Sequence, residues 1–219
     1  MNVIITGATG MVGEGALLEC LQNPVVKKVL IINRRPYGTT HPKLQEVIHE
    51  NFYDFLPIEH LLSGYDACFF CLGVTSIGLN EQQYTKPTHT LTLHVAETLC
   101  RLNPQMTFIY VSGAGTDSTE KGRTMWARVK GKTENDLMKL PFKAVFAFRP
   151  GFMKSTPGAK NTLSFYKYVE WLFPIGRALW PGGFCKLSEV AQAMINVTQH
   201  GFDKNVLEVK DIVRAAHKR

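Results

Sequence analysis

The sequence opens with an apolar run that leads directly into three regularly spaced glycines within Met1–Gly13. This arrangement, followed by a helical pattern, predicts a buried strand, a tight turn and a helix start. Glycine permits the sharp turn, lets a ligand approach the backbone and lets the helix pack on the strand. Because the first amides of such a helix bind phosphate, the stretch predicts a nucleotide-phosphate cradle, with a ligand-free glycine turn as the alternative. The predicted cradle residues are Gly7, Thr9, Gly10, Met11, Val12 and Gly13.

A second apolar run, residues 25–33, follows one helix length later and completes a βαβ unit. Proteins that bind NAD place an acid at the end of this strand, where it binds a ribose hydroxyl. Here the strand ends in Asn33, Arg34 and Arg35. Guanidinium groups suit the 2′-phosphate of NADP through charge-assisted hydrogen bonds. We therefore predict NADP as the cofactor, with a solvated arginine loop as the alternative.

Apolar and helical patterns continue to alternate along the chain. Further strands are predicted over residues 44–50, 65–73, 105–112, 143–148 and 206–209, the last at a sheet edge. Helices are predicted over 57–62, 81–102 with a start or kink at Pro87, 125–138, and 187–197 entered through Ser188 with Glu189. Residues 51–54 follow the third strand where an adenine could be bracketed, and Asn51 and Phe52 are predicted to bind it. Cys71, Leu72 and Gly73 close the fourth strand, where glycine lets the cofactor pass near the backbone.

This alternation predicts an α/β fold, a doubly wound parallel sheet of the Rossmann type. A chain of 219 residues is too short for two full-sized domains, so we expect a single domain over residues 1–219. Residues 151–187 are rich in aromatic side chains and are interrupted by proline and glycine, which suggests a small C-terminal substrate or lid segment. A membrane-surface helix is the alternative, but Pro174 interrupts the pattern that such a helix needs.

Composition excludes several classes of protein. No secretory signal precedes the first strand and no apolar run approaches about 18 residues, so we expect a cytoplasmic protein without a transmembrane segment. Five cysteines suggest reduced thiols, and the Cys68–Cys71 pair lies in an apolar strand, which disfavours a redox role. The net charge of +7 is dispersed, so no nucleic-acid partner is expected. His89 and His94 lack neighbours at ligand spacing, so no metal is expected.

These residues resemble the short-chain dehydrogenase/reductase superfamily, in its atypical branch of small NAD(P)-binding proteins grouped with sugar epimerases and dehydratases. The resemblance covers the chain to about residue 152 and rests on the glycine loop, the arginine pair and the glycine after the fourth strand. It implies that Ser112 is the catalytic serine and that Lys130 is the catalytic, cofactor-binding lysine. It also implies that a turn flanks the nicotinamide. That turn is formed by Arg149, Pro150 and Gly151, and Phe152 follows it.

The superfamily places its proton-transferring tyrosine four residues before the lysine, where this chain has Trp126. An indole N–H donates a hydrogen bond but cannot shuttle a proton. One hypothesis is an NADP-dependent oxidoreductase acting on a small carbonyl or alcohol, with Tyr84, Tyr110 or a water chain through Ser112 as the proton source. The other is a non-catalytic NADPH-binding sensor or regulatory protein. The substrate is expected to be a small molecule, and a homo-oligomer is compatible with both hypotheses.

Overall fold

The computed structural model describes residues 1–156, 158, 160–161 and 173–218. Its strands are β1 Asn2–Thr6, β2 Lys28–Asn33, β3 Leu44–Ile48, β4 Ala67–Phe70, β5 Thr107–Val111, β6 Ala144–Arg149, β7 Phe152–Lys154, β8 Phe184–Lys186 and β9 Val206–Glu208. Its helices are α1 Met11–Gln22, α2 Glu81–Thr85, α3 Leu91–Leu102, α4 Met125–Leu137, α5 Phe173–Leu179, α6 Leu187–His200 and α7 Val209–His217. A 3₁₀ helix spans Leu56–Leu61. Among these helices, none is long and apolar enough to cross a membrane.

Seven of the strands form one sheet in the order β3-β2-β1-β4-β5-β6-β9, and every neighbouring pair is parallel. Ile4 at the centre pairs with Leu30 on one side and Cys68 on the other. The strand order reverses between β1 and β4, which creates a crevice at the carboxyl ends of these strands. The predicted doubly wound parallel sheet is confirmed, and so is the short edge strand near the C-terminus.

Two apolar cores cover the two faces of the sheet. On one face, Leu17 of α1, Val190 of α6 and Ile212 of α7 pack over buried residues of the central strands. On the other face, Leu99 of α3 and Leu137 of α4 pack in a second buried cluster. Strands buried on both faces must be apolar at nearly every position, which is why they read as continuous apolar runs in the sequence.

The predicted kink at Pro87 is confirmed. Residues Lys86–Thr90 form a wide helical turn between α2 and α3, in which the amide of Leu91 donates to the carbonyl of Lys86. Proline lacks the amide that continues an α-helical hydrogen-bond ladder, and a wider turn is one way to accommodate it. This turn brings Pro87 and Leu91 to the crevice.

The region after β6 differs from its prediction in two respects. Strands β7 and β8 form a separate two-stranded parallel sheet that the sequence did not indicate. Helix α6 begins at Leu187, so the predicted cap at Ser188 is wrong. Glu189 caps the helix instead, because its carboxylate accepts the amide of Lys186 at 2.7 Å. Part of the predicted lid, residues 157, 159 and 162–172, lies outside the described residues.

Candidate cofactor and catalytic site

The glycines after β1 form a turn too tight for side chains. Gly7 has a φ of +72°, and a Cβ there would lie 2.8 Å from the carbonyl oxygen of Cys71. A Cβ on Gly13 would lie 2.1 Å from the carbonyl oxygen of Gly7. The helix therefore packs directly on the turn. Gly10 is the N-cap of α1, and no side chain among the described residues caps this helix, which leaves its first amides to bind an anion.

A cleft of about 930 Å³ opens at the carboxyl ends of β1, β2 and β4. Its lining brings together residues from the cradle, the loop after β3 and the loop after β4. It also includes residues of the turn that follows β2, residues 34–37, which we call the arginine turn. The predicted cofactor residues among the lining are Gly7, Thr9, Asn33, Arg34, Arg35, Asn51, Phe52, Leu72 and Gly73. A Cβ on Gly73 would meet no atom of the described residues within 4 Å. The cleft and its glycine cradle fit an extended dinucleotide.

The other predicted cofactor residues are not among the described lining of this cleft. They are Gly10, Met11, Val12, Gly13, Cys71, Lys130, Pro150, Gly151 and Phe152. Several have packing contacts of their own. A Cβ on Gly151 would lie 2.4 Å from the carbonyl oxygen of Gly183, and the Phe152 amide donates to that same oxygen at 2.8 Å. The small size of Gly151 is therefore required by its contact with the chain leading into β8.

The arginine turn is held from below by a carboxylate. One oxygen of Glu46 accepts hydrogen bonds from the Asn33 side-chain amide at 2.9 Å and from the Tyr37 backbone amide at 2.8 Å. Arg34 and Arg35 are exposed, and neither forms an ion pair within the described residues. Glu46 of β3 thus supports the turn, and both guanidiniums remain available to an anion in the cleft.

Ser112 and Lys130 meet at the end of β5. The Lys130 ammonium donates to the backbone carbonyl of Ser112 at 3.0 Å and lies 5.6 Å from the centre of the Tyr110 ring. Burial lowers the pKa of Lys130 to about 8, against an opposing effect of Glu134. The Ser112 hydroxyl lies 2.9 Å from that of Thr116. The Thr116 hydroxyl donates its proton to the backbone carbonyl of Gly113, so the Ser112 hydroxyl is the donor to Thr116.

Trp126 lies in the first turn of α4, with its ring edge against Gly115. The loop that carries Gly115 follows α4 closely, since the amide of Asp117 donates to the carbonyl of Ala127 at 3.1 Å. A Cβ on Gly131 would lie 1.8 Å from the Asp117 carbonyl oxygen, so this contact admits only glycine. Ser112 and Lys130 are thus in contact at the end of β5, and Trp126, one helical turn before Lys130, packs against the loop that follows Ser112.

The alternative proton sources are buried. Tyr84 and Tyr110 are 2% and 1% exposed, and burial raises the pKa of each, that of Tyr110 far above its ordinary range. Tyr110 packs in the core cluster on the α3 and α4 face of the sheet. Burial also raises the pKa of Cys68, and that of Cys71 to about 12, which agrees with unreactive thiols.

Sequence reasoning missed several residues that line the cleft. They are Ile32, Glu50, Val74, Pro87 and Leu91. Tyr53, in the stretch 51–54 predicted beside the adenine, also lines the cleft. Glu50 directly precedes that stretch, so a wider window around the third strand would have included it. Pro87 and Leu91 reach the cleft only because of the wide turn between α2 and α3.

A family model described as the NAD dependent epimerase/dehydratase family matches residues 3–124, more than half of the chain. The chain belongs to this family. It is 25% identical over 213 residues to "Protein FMP52-1, mitochondrial" of Scheffersomyces stipitis, with 93% of this chain and 91% of that protein covered. It is 26% identical over 204 residues to "Protein HTATIP2" of Rattus norvegicus, with 89% and 80% covered. The resemblance to atypical short-chain dehydrogenases/reductases is confirmed.

The fold of this chain is also similar to folds in solved structures. MoeE5 in complex with UDP-glucose and NAD superposes with a TM-score of 0.67 at 16% identity, over 99% of this chain and 81% of that one. At this identity the likeness concerns the fold. Together with the family match, it places the chain among epimerase/dehydratase-like NAD(P)-binding proteins.

The prediction of a cytoplasmic location is wrong. Several FMP52 relatives, that of S. stipitis among them, are named mitochondrial proteins. The prediction relied on the lack of a secretory signal and of a long apolar run. Neither feature separates the cytoplasm from the interior of an organelle, because entry into an organelle requires neither of them.

Proposed function

We propose that this protein is an NADP-dependent oxidoreductase that acts on a small carbonyl or alcohol. The observation that carries the cofactor assignment is that Arg34 and Arg35 line the cleft and form no ion pair within the described residues. The carboxylate of Glu46, on the neighbouring strand β3, accepts hydrogen bonds from Asn33 and Tyr37. A phosphate on the 2′ position is the group that this charge arrangement favours.

Different residues of the site would bind different parts of the cofactor. The amides that follow Gly10 at the start of α1 would hold the pyrophosphate, and the arginine pair the 2′-phosphate. Asn51 and Phe52 would flank the adenine. The cofactor supplies or accepts a hydride when it is bound. Ser112 would hold the substrate oxygen after its hydroxyl turns away from Thr116, and Lys130 would orient the nicotinamide ribose.

The cofactor assignment is tested by titrating NADPH and NADH into the wild type and into the Arg34→Ala/Arg35→Ala double variant. Calorimetry should show tighter binding of NADPH by the wild type. The double variant should lose about 10- to 100-fold in NADPH affinity, because charge-assisted hydrogen bonds contribute about 1.5–3 kcal/mol. NADH affinity should change little.

The control is Arg101→Ala, which removes an arginine that pairs with Glu59 on the protein surface. It should leave both affinities unchanged. Equal affinities of the wild type for NADPH and NADH would refute NADP preference.

A second candidate function, a non-catalytic NADPH-binding sensor, is favoured by a different observation. Trp126 stands where the superfamily has its proton-transferring tyrosine. The Ser112 hydroxyl and the Lys130 ammonium are already engaged, with Thr116 and with a backbone carbonyl. With Trp126 in place of the tyrosine and both polar groups engaged, the site would bind the cofactor but would lack a group that transfers a proton.

The Trp126→Tyr variant distinguishes the two candidates. If the site is otherwise competent, a phenol near Lys130 should raise NADPH-dependent reduction of aldehydes, ketones or quinones, since general acid catalysis contributes about 10²- to 10⁴-fold. Loss of NADPH absorbance measures the rate. Adding Lys130→Ala to this variant should abolish the gain. NADPH binding without turnover by either the wild type or Trp126→Tyr would favour the sensor.

A further inference from the structure

A buried carboxylate without a role in the proposed chemistry lies directly after the cradle. Glu14, in the first turn of α1, is 0% exposed. One of its oxygens accepts the Tyr37 hydroxyl at 3.1 Å and the backbone amide of Lys160 at 2.9 Å. The other accepts the backbone amide of Asn161 at 2.7 Å. A carboxylate with this burial is stable only because such donors replace its water.

These contacts join segments that are far apart in the chain. Tyr37 is 23 residues from Glu14 and ends the turn that begins with Arg34. Lys160 is 146 residues away, in the segment that follows β7. The Lys160 ammonium also lies 6.0 Å from the centre of the Tyr37 ring, so two of the three residues that donate to Glu14 also lie near each other. The Glu14 side chain thus connects α1 to the arginine turn and to the backbone of residues 160 and 161.

We propose that Glu14 is a positioning residue for the cofactor site. It holds the Lys160–Asn161 backbone and the arginine turn against the cradle, so that the site is assembled before the cofactor arrives. This inference rests on the proposed function for the identity of the ligand. Without the carboxylate, the arginine turn, which lines the cleft, would have to be ordered on binding, and that ordering weakens the affinity and shortens the residence time of the cofactor.

Limited proteolysis tests the contact itself, without any cofactor. Trypsin cleaves after lysine, and the peptide bond after Lys160 contains an amide that donates to Glu14. The segment must detach before it can enter the protease. In Glu14→Ala, cleavage after Lys160 should be about tenfold faster than in the wild type. Mass spectrometry of the fragment that ends at Lys160 measures the rate. Glu14→Gln, which retains one acceptor oxygen, should give an intermediate rate.

Glu19→Ala is the matched control, since it removes a half-buried carboxylate from the same helix. It should leave the cleavage rate after Lys160 unchanged. Circular dichroism and the melting temperature identify any variant that has lost its fold, and Tyr37→Phe, which removes only a hydroxyl, provides a milder change. Equal cleavage rates in wild type, Glu14→Ala and Glu14→Gln would overturn the proposal.

The second measurement is the rate of NADPH release, followed by stopped-flow fluorescence. Glu14→Gln and Tyr37→Phe should release NADPH several-fold faster than the wild type, and Glu19→Ala should not. Release at the wild-type rate by both variants would overturn the positioning role and leave the proposed function intact. If the wild type binds neither NADPH nor NADH, the proposed function fails, and the cleavage rates alone decide whether Glu14 holds the segment.

Discussion

At the scale of the residue, Lys130 shows how the fold changes the chemistry of a side chain. Its ammonium is buried beside the Tyr110 ring and donates to the Ser112 carbonyl. Burial penalises the charged form, which lowers the pKa of Lys130 from 10.5 to about 8. The lysine of this site is therefore close to losing its proton in mildly alkaline solution.

This pKa predicts a pH dependence of stability. Between pH 8 and 10.5 the unfolded chain binds more protons at Lys130 than the folded protein does, so the free energy of unfolding rises with pH in this window. Below pH 8 both states carry the proton, and the penalty for burying it is constant. Lys130→Met removes this titration. Urea unfolding should therefore show that the wild type gains stability relative to Lys130→Met from pH 7.5 to pH 10.

Lys121→Met, in an exposed loop, is the control. Its stability difference from the wild type should be the same at both pH values. A constant difference for Lys130→Met as well would mean that the folded-state pKa of Lys130 is not lowered.

At the scale of the element, the packing of α1 on β1 depends on the absence of a side chain at Gly13. A Cβ there would lie 2.1 Å from the carbonyl oxygen of Gly7, a rigid backbone atom. The helix would have to move away from the strand to admit it. Such a shift would also displace the amides at the start of α1, which we assign to the pyrophosphate.

We expect Gly13→Ala to lower the free energy of unfolding by about 2 kcal/mol or more, because overpacking of a tight contact costs about this much. Gly73→Ala is the matched control, since its Cβ would meet no atom within 4 Å. Its effect on stability should stay within about 0.5 kcal/mol. Chemical denaturation measures both. Similar stabilities for the two variants would show that α1 can shift at no cost.

At the scale of the whole molecule, an ion-pair network centred on the buried Arg149 joins the later strands of the sheet to helix α4. Arg149 at the end of β6 pairs with Glu134 of α4 at 2.5 Å and with Glu208 of β9 at 3.0 Å, and it also donates to Ser118. The superfamily resemblance had placed Arg149 in a turn that flanks the nicotinamide. In the structure its guanidinium links β6 to α4 and β9. The buried positive charge of Arg149 is compensated by the two carboxylates.

The sequence by itself determined the features that depend on local chemistry. The alternation of apolar runs and helical patterns predicted the parallel sheet, since strands buried on both faces must be apolar throughout. The spacing of Gly7, Gly10 and Gly13 indicated the cradle, because the steric limits of a tight turn act over a few residues. The kink at Pro87 followed from the missing amide of proline.

Only the tertiary structure decided which distant groups meet. Nothing near Glu14 in the sequence indicates that its carboxylate would accept two amides 146 and 147 residues away. The engagement of Glu46 beneath the arginine turn and the burial of Lys130 likewise depend on neighbours supplied by other elements. Hydrogen-bond partners and the pKa of a buried group are set by what surrounds the group in space, and local sequence patterns carry no record of those surroundings.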